Sequence, residues 1–262
     1  MSFDAVDINT NGASTTSMPP DLLDQVEAKI DVAAKGLKGR QKDDGHWLFE
    51  LEADATIPAE YIFLMHYLDE IDEDLEKDLA TYLRRIQEDH GGWPLFYKGA
   101  PDISATVKAY YALKLAGDDR DAPHMVRARN VVLELGGAER ANVFTRYALA
   151  LFNQVPWRGV PVMPVELMLM PNWFPVHMGK MSYWSRTVVA PLLVLAALKP
   201  KALNPRDVHI RELFKTPPEE VKDWHLNPTG KLAGDFFLGL DKVLRVVEPF
   251  FPKSSRKKAI DK

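Results

Sequence analysis

The chain contains two similar heptapeptides, QKDDGHW at residues 41–47 and QEDHGGW at residues 87–93. Both read Q-x3-G-x-W, and both follow a leucine-rich segment with helical periodicity. Corresponding residues of the two stretches are 46 positions apart, and a period of this length is typical of stacked supersecondary repeats. The sequence therefore predicts a repeat array rather than a single wound domain.

Each residue type in these heptapeptides suits a corner that ends a helix. A glycine can adopt positive φ and stop a helix, and a glutamine amide can bond backbone groups that the helix end leaves free. A tryptophan packs a large face and keeps one N–H to satisfy. The residues predicted to build the corners are Gln41, Gly45 and Trp47 in the first, and Gln87, Gly91, Gly92 and Trp93 in the second.

Apolar residues recur with helical spacing through most of the chain, and no segment alternates with a period of two long enough to indicate a sheet. The fold class predicted is therefore all-α, with three outer–turn–inner helix pairs. Gly136-Gly137 marks a third corner without Gln or Trp. The predicted helices run over about residues 21–37, 58–68, 75–86, 103–113, 125–135, 142–154, 183–198 and 234–248.

Composition excludes several classes of function. A net charge of −4 gives no reason to expect nucleic acid as a partner, and the absence of cysteine excludes disulfides and thiolate chemistry. Residues 1–18 lack the pattern of a signal peptide. The longest apolar run, residues 188–198, is too short to span a bilayer. The acidic run 69–74 has no second carboxylate cluster, so we predict neither a metal site nor a cofactor.

The two heptapeptides resemble the QW motifs of the squalene-hopene and oxidosqualene cyclases, triterpene cyclases built from α/α barrels. The resemblance runs from about Leu22 to the last residue, through AEY at 59–61, VFTR at 143–146, a Met- and Pro-rich loop at 156–182 and YWSR at 183–186. It implies an α/α-barrel (toroid) with an incomplete array. It also implies an isomerase, an intramolecular transferase that converts squalene to pentacyclic hopanoids by alkene protonation and a carbocation cascade.

The acid that starts this cascade in the family, a D-x-D-D motif, does not occur in the chain. In the family the motif lies in a second α/α barrel, so the chain resembles an N-terminal portion that is inactive alone and needs a C-terminal catalytic barrel. The domains expected are a mobile tail at 1–20, the barrel domain at 21–252 and the start of a truncated helix at 253–262. Ser254 or Ser255 is the predicted N-cap of that last helix.

The resemblance also suggests substrate-binding residues. By motif they are Trp184, Glu60, Phe144, Met181 and Val189. Trp184 would stabilise a cation through its ring face, and Glu60 would face the cavity, where an unpaired carboxylate is costly. Two alternatives stay open: Trp184 and Phe144 as core residues, and Glu60 as the partner of an arginine such as Arg146.

The predicted helix at about 234–251 carries aromatic residues on one side and charges on the other. The residues predicted to face a membrane are Phe236, Phe237, Leu240, Leu244, Phe250 and Phe251. Basic residues flank the helix, a pattern typical of monotopic interfacial helices. We therefore predict peripheral attachment to the cytoplasmic side of a membrane, which would supply squalene or a similar polyprene. Packing of this face on the protein's own core is the alternative, and a homodimer stays open.

Two other functions remain compatible with the sequence. One is a protonation-initiated cyclase acting on a diphosphate-bearing diterpene, which a basic pocket for the diphosphate would favour. The other is a non-catalytic helical-repeat module that binds a lipid or a protein. A D-x-D-D motif downstream or in a second chain would distinguish an enzyme from such a module.

Overall fold

The computed structural model describes residues 20–49, 54–174, 177–224, 230 and 232–262. The chain divides into two compact units, Met1–Glu52 and Ala53–Lys262. The predicted tail at 1–20 lies outside the described residues except for Pro20, and the same is true of Pro175 in the Met- and Pro-rich loop. Among the described helices, none is long and apolar enough to cross a membrane.

Helices and short 3-10 turns make up the regular structure, and the described residues contain no strand. The first unit contains α1 (Pro20–Lys38). The second contains α2 (Thr56–Leu68), α3 (Glu73–Arg85), α4 (Ile103–Leu115), α5 (Pro123–Glu134), α6 (Val143–Leu151), α7 (Tyr183–Leu198), α8 (Leu232–Val247) and α9 (Lys253–Ile260). The all-α prediction is confirmed.

Both predicted corners form, with the same hydrogen bonds. In the first unit, Gln41 Nε2 donates to Gly45 O at 2.6 Å, and Trp47 Nε1 donates to Leu37 O at 2.7 Å. Gly45 has φ +91°, as the turn requires. The Leu37 carbonyl, near the end of α1, thereby accepts from the indole N–H as well as from Arg40 N at 3.0 Å.

The second corner repeats this geometry within the second unit. Gln87 Nε2 donates to the Gly91 carbonyl at 2.7 Å, and Trp93 Nε1 donates to the Leu83 carbonyl at 2.9 Å. Gln87 also donates to His124 O at 2.9 Å, which ties the corner to the start of α5. A Cβ at Gly91 would lie 2.8 Å from Arg127 Cβ, so the glycine is required for space as well as for its φ of +88°.

Helix α4 is the centre of the second unit and contacts α2, α3, α5 and α6. An aromatic group lies beside it: the rings of Phe63, Tyr111 and Phe152 are 5.3–5.7 Å apart, centroid to centroid. Burying such rings contributes a large share of the apolar area removed from water. The core of this unit is therefore built around one helix that is buried on nearly every side.

Residues of the segment after α7, between 199 and 224, also contribute to this core. The residues of this segment that are buried in it are Ile210, Leu213, Phe214, Val221 and Trp224. Their spacing follows no helical or strand period, because the described part of the segment, residues 199–224, is irregular chain apart from one 3-10 turn, Arg211–Leu213. A search for periodicity therefore misses its burial.

Several predicted helix ends are wrong by a few residues. Helix α2 begins at Thr56, before Pro58: its N-cap is Ala55, and Asp54 Oδ1 accepts from the first helical N–H, that of Thr56, at 2.8 Å. Helix α6 ends at Leu151 and not at Gln154, since Asn153 takes a left-handed conformation with φ +56°.

The predictions for the last two helices need similar corrections. Helix α8 ends at Val247, so Phe250 and Phe251 follow it rather than belong to it. Helix α9 begins at Lys253 after Pro252, so neither Ser254 nor Ser255 is its N-cap. Helix α9 does have a packing partner: Ala259 is buried against Val165 and Leu193, in a cluster that the Met- and Pro-rich loop helps to form.

Candidate functional site

The N-terminal ends of three helices lie at the same end of the second unit. Glu60 Oε1, in α2, lies 2.6 Å from Lys108 Nζ, in α4. The N–H of Asn142, the N-cap of α6, donates to Ser104 Oγ in the first turn of α4 at 2.9 Å. Glu60 and Phe144, two of the predicted site residues, are therefore carried by neighbouring helix starts.

Lys108 is the residue that Glu60 meets. It is 6% exposed on a helix that is apolar on nearly every side, whereas the Glu60 side chain is about half exposed. The Glu60 carboxylate is thus the counter-charge of the Lys108 ammonium, and burying that cation without a partner would be costly. Arg146, the alternative partner named from the sequence, instead donates to the carbonyl of Trp224.

Arg146 is a second buried cation of this unit. It is 7% exposed, and its Nε has no hydrogen-bond partner among the described residues. Burial lowers the pKa of Arg146 to about 10, and the positive charge of Arg245 adds to this effect while Asp241 opposes it. A buried donor without an acceptor is a place where a polar group or a water molecule could be held.

The two aromatic residues of the predicted site lie outside the buried core. Trp184 is 78% exposed and Phe144 is 52% exposed. The Trp184 ring meets Tyr183 edge-on, with 5.9 Å between the ring centroids. Neither residue is a core residue of the second unit.

Met181 and Val189 are half-buried. Val189 packs against the cluster of Val165 and Leu193, apart from the main core. Met181 ends a 3-10 turn, and its N–H donates to Met178 O at 3.2 Å. These two residues therefore belong to the region of α7 and the Met- and Pro-rich loop, and not to the Glu60–Lys108 pair.

Helix α2 exposes an apolar stripe, although the sequence predicts a helix buried as an inner element of the array. The exposed residues are Ile57, Tyr61, Leu64 and Leu68, which recur at helical spacing. Glu60 lies between Ile57 and Tyr61 in α2, and Phe144, in the first turn of α6, is a further exposed aromatic residue. Such a surface can hold a hydrocarbon chain, and its aromatic faces can stabilise a cation without a lone pair that would quench it.

Helix α8 attaches to the unit by its polar side. Asp241 Oδ1 accepts from Val162 N at 2.7 Å, and Arg245 bonds both Asp241 and the carbonyl of Val160, at 2.7 and 2.9 Å. The residues predicted to face a membrane lie elsewhere on α8 and just after it. Four of them are exposed: Phe236 (67%), Phe237 (63%), Leu240 (40%) and Phe250 (83%). Leu244 and Phe251 are half-buried. This face does not pack on the core of its own unit.

Sequence reasoning missed the buried charges. Lys108 could have been noticed as a lone charge in an apolar helix. His66 and Glu76 are both buried and bonded to each other, and Arg206 bonds Glu76 at 3.1 Å; nothing in the spacing of these three residues signals their contact. In the acidic run, Asp72 caps α3 by accepting from Leu75 N at 3.0 Å, which is the helix-start role.

The paired helices and the matching corners place the protein in the class of all-α repeat proteins of the α/α-toroid type. Residues 30–262 match the family of the squalene-hopene cyclase N-terminal domain, and the chain belongs to this family.

Curated relatives include two squalene–hopene cyclases and a dammaradiene synthase. A squalene–hopene cyclase of Zymomonas mobilis is 59% identical over 245 residues, covering 91% of this chain and 36% of the relative. One from Bradyrhizobium diazoefficiens is 55% identical, with 90% and 36% covered. A dammaradiene synthase of Dryopteris crassirhizoma is 32% identical, with 92% and 35% covered. The chain thus spans about a third of the length of these relatives.

The Glu60–Lys108 pair makes a first testable prediction. Glu60→Gln should lower the free energy of unfolding by about 1 kcal/mol, because it leaves a buried ammonium without its counter-charge. Lys108→Met should be close to neutral, since methionine fills an apolar site with little strain. Urea unfolding of both single variants and the double variant measures the coupling, and a loss of stability in Lys108→Met as large as in Glu60→Gln would contradict this account.

Proposed function

We propose that the chain is the N-terminal α/α-barrel portion of a squalene-hopene-type cyclase, which converts squalene or a similar polyprene to pentacyclic hopanoids by alkene protonation and a carbocation cascade. Membership of the squalene-hopene cyclase N-terminal domain family is the observation that carries this proposal. The exposed apolar and aromatic surface on α2 and α6 supports it. The D-x-D-D acid would come from the part of the relatives that this chain does not cover.

The proposed roles follow from the chemistry of each side chain. Trp184 and Phe144 offer ring faces to migrating positive charge. Glu60, held by Lys108 at 2.6 Å, would provide a fixed negative charge or orient water beside the cation. Met181 and Val189 would narrow the path by which the polyprene enters.

A chimaera tests the function directly. Residues 30–262 would replace the corresponding part of the Zymomonas mobilis relative, and the product would be assayed with squalene. We expect hopanoid product from the chimaera and none from the chain alone, because the chain lacks the acid motif. A folded chimaera without product, or turnover by the isolated chain, would contradict the proposal. Trp184→Ala in the chimaera should reduce turnover at least tenfold, with Trp173→Ala as the exposed control.

We also propose that α8 attaches the protein to the cytoplasmic face of a membrane as a monotopic helix. Phe236 and Phe237 are exposed at 67 and 63%, while the polar side of α8 is bonded to the protein. Charging both to glutamate should abolish binding to phosphatidylcholine vesicles in a flotation assay, because each charge opposes burial in the interface. Lys242→Glu is the control on the same helix. Unchanged binding of the double variant would remove this role for α8.

The remaining partners proposed are the C-terminal catalytic barrel and a second copy of the chain. Exposed apolar residues on α2 and α7 offer area for either one. Sedimentation of the chimaera and of the chain alone distinguishes these two partners. If the chain alone dimerises and the chimaera does not, the second copy occupies the surface that the C-terminal barrel covers in the chimaera.

A further inference from the structure

A cavity of about 260 Å³ lies between the segment after α6, the C-terminal end of α7 and the C-terminal end of α8. It is lined by Trp157, Arg158, Val160, Pro161, Val162, Met163, Ala196, Lys199, Arg245, Glu248 and Pro249. Its volume is below the range of about 300–1,000 Å³ that suits a drug-sized molecule. The cavity is thus of a size for the polar end of an amphiphile rather than for a whole polyprene.

The charges around this cavity do not balance. Three lining residues are cationic and one, Glu248, is anionic. The Glu248 carboxylate is already bonded to Arg256, and Arg245 is already bonded to Asp241. Two positive charges, those of Arg158 and Lys199, are therefore left without a carboxylate of their own at the cavity.

Arg158 is held in place by neutral groups. Its guanidinium donates to the carbonyls of Val221, at 2.7 Å, and of Pro218 and Glu219. The carboxylate of Glu219 accepts from both terminal nitrogens of Arg211 at 2.6 and 3.0 Å, which lowers the pKa of Glu219, and the nearby charge of Arg158 adds to this effect without a hydrogen bond between the two side chains. Carbonyl oxygens orient the Arg158 cation but do not neutralise it, so it remains available to an anion.

Lys199 follows the C-terminal end of α7 and also lines the cavity. It takes a left-handed conformation with φ +48°, and within the described residues its ammonium has no hydrogen bond or ion pair. Two exposed apolar residues lie next to lining residues in the sequence. Leu198, which precedes Lys199, is 58% exposed, and Phe250, which follows Pro249, is 83% exposed. The cavity thus combines two cations that have no carboxylate bonded to them with apolar walls, at the C-terminal end of α8.

We propose that this cavity binds a phosphate group, and that its source is the headgroup of an anionic phospholipid in the membrane on which α8 rests. Arginine and lysine are the side chains that phosphate oxygens prefer. The apolar walls would take the glycerol and the first methylenes of the lipid. The inference rests on the proposed membrane attachment, and it adds a preference for anionic over zwitterionic bilayers.

The test compares flotation of the full chain on vesicles of phosphatidylcholine alone and of phosphatidylcholine mixed with phosphatidylglycerol. The cavity variant is Arg158→Gln with Lys199→Asn, since glutamine can still donate to a carbonyl and asparagine tolerates the left-handed conformation. The control is Lys257→Gln with Lys258→Gln, two exposed lysines of α9 that do not line the cavity. Both variants lose two charges, and circular dichroism checks that both are folded.

Wild-type protein should prefer the anionic vesicles, and the cavity variant should lose about twentyfold in affinity for them, because each cation near an anionic surface contributes a factor of about five. The control should lose less than fivefold, and binding to phosphatidylcholine should change in neither variant. An equal loss in both variants would show diffuse attraction and overturn the site. Binding of wild-type protein to both vesicles without preference would overturn it while leaving the membrane role of α8 intact.

Two soluble probes identify the source of the phosphate. Inorganic phosphate, at an ionic strength matched with sodium chloride, should compete only weakly with anionic vesicles. Tight binding of inorganic phosphate or of a soluble prenyl diphosphate, with no preference between the vesicles, would assign the cavity to a free phosphate compound and overturn the lipid. Absence of binding to any vesicle would overturn both the proposed attachment and this site.

Discussion

Replacing Trp93 with alanine is expected to lower the free energy of unfolding of the second unit by about 3–5 kcal/mol, the usual cost of truncating a buried aromatic side chain. Trp93 is fully buried, and its ring occupies the corner between α3 and α4. The truncation also leaves the Leu83 carbonyl without the indole N–H that satisfies it at the end of α3. For a unit of this size the loss corresponds to a fall in Tm of about 6–20 °C.

Two variants separate the contributions to this loss. Trp93→Phe keeps most of the apolar area and removes the hydrogen bond to Leu83, so it should cost about 1–2 kcal/mol. Trp173→Ala, at a residue that is 78% exposed, should stay within about 0.5 kcal/mol of the wild type. Urea unfolding followed by far-ultraviolet circular dichroism measures all three. A cost for Trp93→Ala no larger than that for Trp173→Ala would mean that the corner does not support the unit.

These corners are the part of the fold that could be predicted from sequence. Each is a local device: Gln87 bonds Gly91 four residues later, and Trp93 bonds Leu83 ten residues earlier. The residues needed for such bonds lie within one short stretch of chain, so their types and spacing specify the geometry. The N-cap of α4 is a local device of the same kind: the carboxylate of Asp102 accepts from Ala105 N, three residues later, at 2.8 Å.

The pairings that depend on how helices meet could not be predicted. Lys108 and Glu60 are 48 residues apart, and Arg206 and Glu76 are 130 apart. No local pattern specifies contacts over such separations, because they follow from the packing of whole helices. The pairing of Glu60 with Arg146 was a reasonable expectation from charge alone, yet Arg146 is buried against Trp224 instead.

Burial in irregular segments was missed for a related reason. Ile210 and Leu213 are fully buried in a segment rich in proline and charge. The periodicity of apolar residues detects burial only where the backbone conformation is regular, as in a helix or a strand. For the candidate site, the motifs named Glu60, Phe144 and Trp184, but their exposure and partners depend on the packing of α2, α4, α6 and α7 and were not readable from those motifs.

Removing the carboxylate of Glu76 is expected to have the second largest effect on stability, because Glu76 joins three segments of the second unit. It is 5% exposed in α3 and accepts from His66 in α2 and from Arg206, whose guanidinium also donates to Leu115 O in α4 at 2.7 Å. His66 is fully buried, and its Nδ1 has no partner among the described residues.

Glu76→Ala should therefore cost about 2–4 kcal/mol. Loss of an acceptor for a buried donor costs about 1–3 kcal/mol, and breaking a buried ion pair costs about 3–5 kcal/mol. The side chain of Arg206 is 36% exposed and can turn to water, which places the expected value between these limits. Glu73→Gln, an exposed glutamate in the first turn of the same helix, should change stability by less than about 0.5 kcal/mol.

A double variant decides whether the network is held by its polar contacts or only by shape. His66→Phe combined with Glu76→Leu removes both partners and leaves no buried donor without an acceptor, so it should be less destabilised than Glu76→Ala. Urea unfolding gives the comparison. If the double variant is as unstable as the sum of its single variants, His66 and Glu76 are not coupled, and the network contributes through packing volume alone.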